Sequence, residues 1–325
     1  MVTEKLSSHE ALSDPTLAVV VALIHYDRLQ GQFHQGMVHF KGLQQLVQLR
    51  GGITQLRRKP AIAQKIFRAD LEFALQLGSR TWYNVEDVPG HEIISSLREE
   101  SLREYPVRDS RIFRRLNVDF QDVLFDVLSL AWLLNATSKH ANRLDGFLLH
   151  ETITLLGYRI IHLSPLGGSR PVERLENKLH LGLITFVATF LLSITRKLPE
   201  FCLLSRLLRS AAQEDLEEDE ENQEVLLWTL FLGRASIFKK SDDSWLIPRM
   251  TEITSALGYS NWKDISRTLR KFPWVNALHD RPGQALWQKT VAHLCFPTGF
   301  PGNQSLIWKS THFAPSAGVN GFKVL

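Results

Sequence analysis

GQFHQGMVHFKGLQQLVQLRGGITQL, Gly31 to Leu56, and KIFRADLEFALQLGSR, Lys65 to Arg80, decide how this chain folds. Met37, Phe40, Leu43, Leu46, Val47 and Leu49 recur at three-and-four spacing while Gln44, Gln45 and Gln48 fall between them, which describes a helix with one apolar face. The helix stops at Leu49-Arg50-Gly51-Gly52, where a cation sits over the C-terminal dipole and Gly51 takes a left-handed cap without steric cost. A second helix starts near Pro60, carries Ile62, Ile66, Ala69, Leu71, Phe73 and Leu77, and ends at Gly78 by the same device. The stretch reads as a helical hairpin.

Outward from it, Asp14 is the expected cap and Pro15 the first helical residue of a buried helix, LAVVVALIHYDRL, that ends near Gly31. Arg80 to Asp119 contains Pro89-Gly90 and Pro106 and reads as a connecting region with a short helix at Ile93 to Arg103. It is the segment expected to move. Phe120 to Ser138 and Leu144 to Leu163 restore the helical period, and their short connection predicts antiparallel packing. Leu179 to Thr195 is apolar on all sides but too short, and too interrupted by His180, Thr185, Thr189 and Ser193, to span a bilayer; it is expected at the centre of the core. Leu198 to Ala212 is another amphipathic helix, and Phe296 to Leu325 loses periodicity, gains Gly and Pro, and is expected to be an unstructured tail. The expected architecture is all-α: one irregular bundle of about ten helices over residues 1–295.

Composition narrows the function classes. With 44% hydrophobic residues in 325 the chain has ample material for a core. Cys202 and Cys295 are too few for a disulfide framework or a cysteine-based zinc site, and both are expected to be buried thiols. No secretory leader precedes Pro15, so an intracellular location is expected. The net charge is +4 although Glu214 to Glu224 alone holds eight acids, so the remainder is strongly basic. The acidic run interleaves only Leu216 and is expected to be a solvated loop. Arg50, Arg57, Arg58, Lys59, Lys65 and Arg68 form one basic cluster; Arg98 to Arg115, with six arginines and four acids, forms another. Both are expected as solvated helix ends with phosphate attraction as the alternative.

Two blocks of words carry a family resemblance. The first is VHFKGL (Val38–Leu43), LRGG (Leu49–Gly52) and RADLEFALQLGSR (Arg68–Arg80). The second is Leu227-Trp228, Trp245 to Gly258, Ser260-Asn261-Trp262, Phe272-Pro273-Trp274 and Leu286-Trp287, in that order. Together, from about Ala11 to Thr290, they resemble the regulatory domain of fungal-specific transcription factors, which follows a binuclear zinc cluster. The resemblance implies a nuclear location and control of transcription. It also implies contact with the transcription machinery or a DNA-binding partner, dimerisation, and response to a small effector. It further implies that helices and a zinc cluster normally precede Ala11, so the chain looks N-terminally truncated. No Cys-x-x-Cys occurs, so direct sequence-specific DNA binding through such a cluster is not expected.

No enzyme motif stands out: there is no phosphate loop, dinucleotide fingerprint, nucleophile elbow or His-Glu-x-x-His. Asp122 and Asp126, one helical turn apart, are the best carboxylates for a rival reading as an all-helical enzyme of secondary metabolism; a stand-alone helical adaptor is a third reading. Asp242-Asp243 and the pairs His9-Glu10, His91-Glu92 and His150-Glu151 lack the partners a site needs. No catalytic residue, cofactor or metal is therefore assigned. His39 is expected to be buried and bonded to a neighbouring helix, and Arg50, Arg68 and Asp70 to form an ion pair between the hairpin helices. The tryptophans from Trp245 to Trp287 are read as core, with an effector cavity as the alternative.

Overall fold

The first helix opens at Ser13, whose hydroxyl accepts the N–H of Thr16 at 3.4 Å, so that Asp14 and Pro15 fall in the first turn of α1 (Asp14–Leu29). Asp14 is thus not the cap. Its carboxylate instead pairs with Arg50 and Lys59, tying the start of α1 to the end of α2 (Phe33–Leu49) and beyond. Asp27 and His39 join the opposite ends of the same two helices at 2.7 Å, which makes them antiparallel across a three-residue link. The hairpin in the opening stretch is therefore α1 with α2. α3 (Pro60–Leu77) makes only slight contact with α2 and lies on α1 and on α7 (Gly146–Leu163). The reason is its burial: every residue from Ala69 to Leu75 is enclosed, so one partner helix cannot cover it.

The computed structural model describes residues 12–104, 111–137, 145–193, 201–215 and 219–295. Among them are thirteen α-helices, three short 3-10 turns and no strand. The all-α reading holds, with more helices than the ten expected because some are short, such as α5 (Arg111–Arg115). The expected tail lies outside the described residues.

α3 ends at Gly78 with φ 74°. Besides the left-handed backbone, the position needs a bare Cα, because a Cβ there would meet Leu203 at 2.4 Å and the Gly167 nitrogen at 2.8 Å. The Gly167 N–H donates to the Gly78 carbonyl at 2.7 Å, so the loop before α8 (Arg174–Ser193) is fastened to the end of α3. α4 (His91–Glu104) packs on α6 (Val118–Thr137) and α7, and α6 lies antiparallel to α7 with Asp126 opposite Arg159.

The centre is a pair of helices, α8 and α10 (Glu220–Ser236). Lys178 to Ala188 on α8 and Asn222 to Gly233 on α10 are buried without a break. They approach closely because Gly182 leaves room for Trp228, whose ring would lie 2.2 Å from an added Cβ. No helix among the described residues is long and apolar enough to cross a membrane. α9 (Cys202–Gln213) covers the pair with Leu204, Leu208, Ala211 and Ala212.

The acidic run is only partly loop: Asp219 caps α10, and Glu220 to Glu224 form its first turn, with Glu224 buried against Lys271 and Tyr259. α11 (Asp243–Ala256), α12 (Trp262–Leu269) and α13 (Asn276–Cys295) close the body. Gly258, φ 68°, ends α11, and the Asn261 side chain accepts the Asp264 N–H at 3.1 Å to start α12. Trp228 donates to the Pro273 carbonyl at 3.0 Å and stacks on Phe272, and Trp274 donates to Asp280 at 2.8 Å. Each ring thus buries its surface while its N–H finds an acceptor.

Candidate functional site

Asp126, one of the two candidate carboxylates, is fully buried between Arg98 of α4 and Arg159 of α7. Arg98 grips both its oxygens, and Arg159 takes Oδ2 as well. Three guanidinium N–H groups reach this enclosed carboxylate, which commits it to joining the helices and shields it from a metal or a substrate. Asp122, one turn earlier, is exposed and stands 3.8 Å from the Arg98 guanidinium. It lines an open cleft of about 510 Å³ with Glu86, Asp119, Arg159 and His162, and Asp126 is not part of its wall. The structure does not bring the two aspartates together as a site.

Asp242 and Asp243 are likewise engaged. Asp242 accepts the Lys239 N–H at 2.8 Å and the Trp245 indole N–H at 3.0 Å; Asp243 pairs with Arg234 at 3.1 Å and Lys289 at 2.6 Å. His91 contacts the Val85 carbonyl, and burial, with Arg68 nearby, lowers the pKa of His150. Burial and Asp145 raise Glu151. His9 and Glu10 lie outside the described residues. Among the described residues no group of three or more His, Cys, Asp or Glu side chains could hold a metal.

The residues of the resemblance words do not pair as expected. No ion pair joins Arg50 or Arg68 to Asp70. Arg50 reaches Asp14. Arg68 bonds Glu72 on its own helix at 2.9 Å and the Leu191 carbonyl of α8 at 3.0 Å, while Arg28 of α1 closes on Glu72 from the other side. His39 is bonded to α1 as expected, but is only half-buried.

Asp70 has a different role: it receives the N–H groups of Trp82 and Tyr83 and the Tyr158 hydroxyl, the last at 2.6 Å. Burial raises the Asp70 pKa against the pull of these donors, and burial followed by the Asp70 charge raises both tyrosines. The carboxylate thereby fixes the loop after α3. That loop holds Trp82 outward, 62% exposed.

Two charge clusters that are far apart in sequence meet in space. Arg115 pairs with Asp219 and Glu221, and Arg111 approaches Glu221 at 3.7 Å, so part of the second basic cluster is answered by the acidic run. In the first cluster Arg50, Lys59 and Arg68 are in ion pairs, while Arg57, Arg58 and Lys65 are exposed. A partly neutralised basic surface of this kind attracts phosphates weakly and reads no sequence.

A second cleft, of about 660 Å³, lies between α9, the end of α10 and the start of α11. Its walls combine Phe201, Ile237 and Phe238 with Arg206, Arg209 and Arg234. Cys202 also lines it and is an exposed thiol, contrary to the buried role expected, because it begins α9 on the side turned to the cleft. Trp245 stands next to the cleft, edge-on to Phe238 at 5.1 Å and beneath the Arg209 guanidinium at 5.4 Å. Trp228, Trp274 and Trp287 are packed in the core. Sequence reasoning missed this cleft. The available signal was the arginine spacing of α9, Arg206 and Arg209, on a helix whose other face is leucine.

These features define a helical body whose buried ionisable groups hold helices to one another, with open clefts at its surface. Comparison of the chain with family models, with curated proteins and with solved structures finds no match.

Proposed function

We propose that the chain is a helical regulatory domain resembling that of fungal zinc-cluster transcription factors, working in the nucleus through protein contacts and a small effector. No Cys-x-x-Cys that could seat a zinc cluster occurs in these 325 residues, and on this reading they act through the transcription machinery or a DNA-binding partner. The observation that carries this reading is the closure of Asp126 by Arg98 and Arg159, which takes one of the two carboxylates away from the rival enzyme. The ordered sequence blocks support the family. The outward Trp82, on a loop anchored by Asp70, supports the contact role, since rigid aromatic side chains supply large contact area at low entropic cost.

The test tethers the chain to a heterologous DNA-binding domain at a reporter promoter. Transcription several-fold above or below the DNA-binding domain alone is expected, and Trp82→Ala is expected to reduce the effect. An unchanged reporter with the fusion present in the nucleus would refute the regulatory reading and favour the adaptor.

A further inference from the structure

We infer that the cleft between α9, the end of α10 and the start of α11 binds an organic acid: a small molecule with an anionic head on an apolar body. The cleft holds about 660 Å³, within the range of small-molecule sites, and its walls divide by chemistry. Phe201, Ile237 and Phe238 offer the apolar part.

The charged part is unbalanced. Asp242, the acid in the wall, already accepts the Lys239 and Trp245 N–H groups. Arg234 is held by Asp243 and donates to the Phe238 carbonyl at 3.3 Å. Arg206 and Arg209 remain. They are three apart on α9, so they share one face and project into the cleft together, and neither has a carboxylate partner among the described residues. Arg209 is steadied from one side by the face of Trp245, which leaves its N–H edge available. Two adjacent guanidiniums repel each other, and a planar carboxylate or a phosphoryl group placed between them relieves the repulsion and takes forked hydrogen bonds. An inorganic anion would satisfy the arginines and leave the phenylalanine wall wet, whereas an acid with an aromatic or alkyl body covers both.

This gives the effector of the regulatory reading a chemical class and rests on that reading for its biological meaning; the binding itself is tested on the purified full chain. Calorimetric titrations would compare 4-phenylbenzoate and decanoate with their neutral amides and with inorganic phosphate. At least one acid is expected to bind saturably at one site, with its amide and phosphate each at least tenfold weaker. Arg206→Ala with Arg209→Ala, at exposed positions, is expected to lose at least tenfold in affinity while its melting profile stays near that of the parent. Arg209→Lys, which keeps the charge and loses the fork, is expected to fall between.

Four outcomes would overturn the inference: equal binding of acid and amide, phosphate binding as tightly as the acids, unchanged binding in the double variant, or no saturable binding by either acid. A failed titration leaves the reporter assay untouched, and a silent reporter leaves the titration untouched, so the two readings fail separately.

Discussion

The helices from α1 to α7 and those from α8 to α13 differ in what joins them. In the first group buried charge stands beside rings: Arg28 of α1 on Glu72 of α3, Arg98 and Arg159 on Asp126, Tyr158 on Asp70, with Phe40 on Phe73 and Phe67 on Tyr158. In the second group rings predominate: Trp228 on Phe272, Phe231 edge-on to Trp262 and Trp274, Phe186 against His279, with the Lys271–Glu224 pair beside them. Its deeply buried histidines are kept neutral. Desolvation explains the contrast. A buried ion pair yields little net stability but is costly to break, so it specifies which helix meets which, whereas ring burial supplies free energy with less demand on register. One set of contacts selects the arrangement and the other holds it.

The largest test of that division is Phe186→Ala. Phe186 is completely buried on α8, touching Phe190 and His279, and its truncation is expected to cost about 3 to 5 kcal/mol in denaturant unfolding. A loss under about 1 kcal/mol would mean that α8 is not central.

Acid should weaken the second group next. Burial holds His180 and His279 at a pKa of about 3, with Arg170 adding to the effect at His180. Arg170 can only donate, so His180 Nδ1 accepts and Nε2 donates to the Ile160 carbonyl; a second proton would face the guanidinium. Both groups are depressed, so the unfolded chain takes their protons first: stability is full above about pH 6.5 and falls as pH drops toward 3. Between pH 6.5 and 5.5 the pair is expected to remove about 2 kcal/mol: the full slope is about 1.4 kcal/mol per histidine per unit, but the unfolded imidazoles are only half protonated at the upper end. Asp70 acts in the opposite sense, since its raised pKa lets the folded chain take that proton first, and this offsets part of the loss. Denaturant midpoints across this window check the sum. A flat profile in an Asp70→Asn background, where the offset is gone, would contradict it.

Asp126→Asn probes the first group. It leaves Arg98 and Arg159 without their shared carboxylate, and as both are partly exposed they recover some hydration, so about 2 kcal/mol is expected. The same variant is expected to leave the tethered reporter unchanged if Asp126 only joins helices. Smaller still is Asn261→Ala, which removes the α12 cap and should cost about 1 kcal/mol by thermal unfolding. Least of all is any preference for DNA sequence: binding by the chain should be weak and salt-sensitive, and equal on unrelated duplexes in electrophoretic shifts.

How far the structure was legible depended on the reach of each interaction. Gly78 acts on its own helix turn, and the three-and-four spacing of Met37 to Leu49 or the unbroken apolar run of α8 reports burial directly, so most helices, the stop at Gly78 and the central helix are legible in the sequence, while the first cap falls one residue earlier than expected, at Ser13. Pairing could not. Asp70 meets Tyr158 from 88 residues away and Asp126 meets Arg98 from 28, and neither periodicity nor composition records which charge faces which across such distances. For the same reason the sequence pattern pairs α2 with its successor α3 whereas it packs on its predecessor, and the acidic run looks solvated although it begins α10 and answers Arg111 and Arg115.

By itself, then, the sequence determined that the chain is all helix, where most helices begin and end, and that the run from Leu179 is enclosed, because hydrogen bonding, capping and apolar periodicity are local. Only the tertiary structure decided that Asp126 is closed, that Trp82 faces outward, and that Arg206 and Arg209 share a cleft with Phe201 and Phe238. Those facts depend on segments remote in the chain being brought together by burial, which favours many pairings about equally until the whole core is packed.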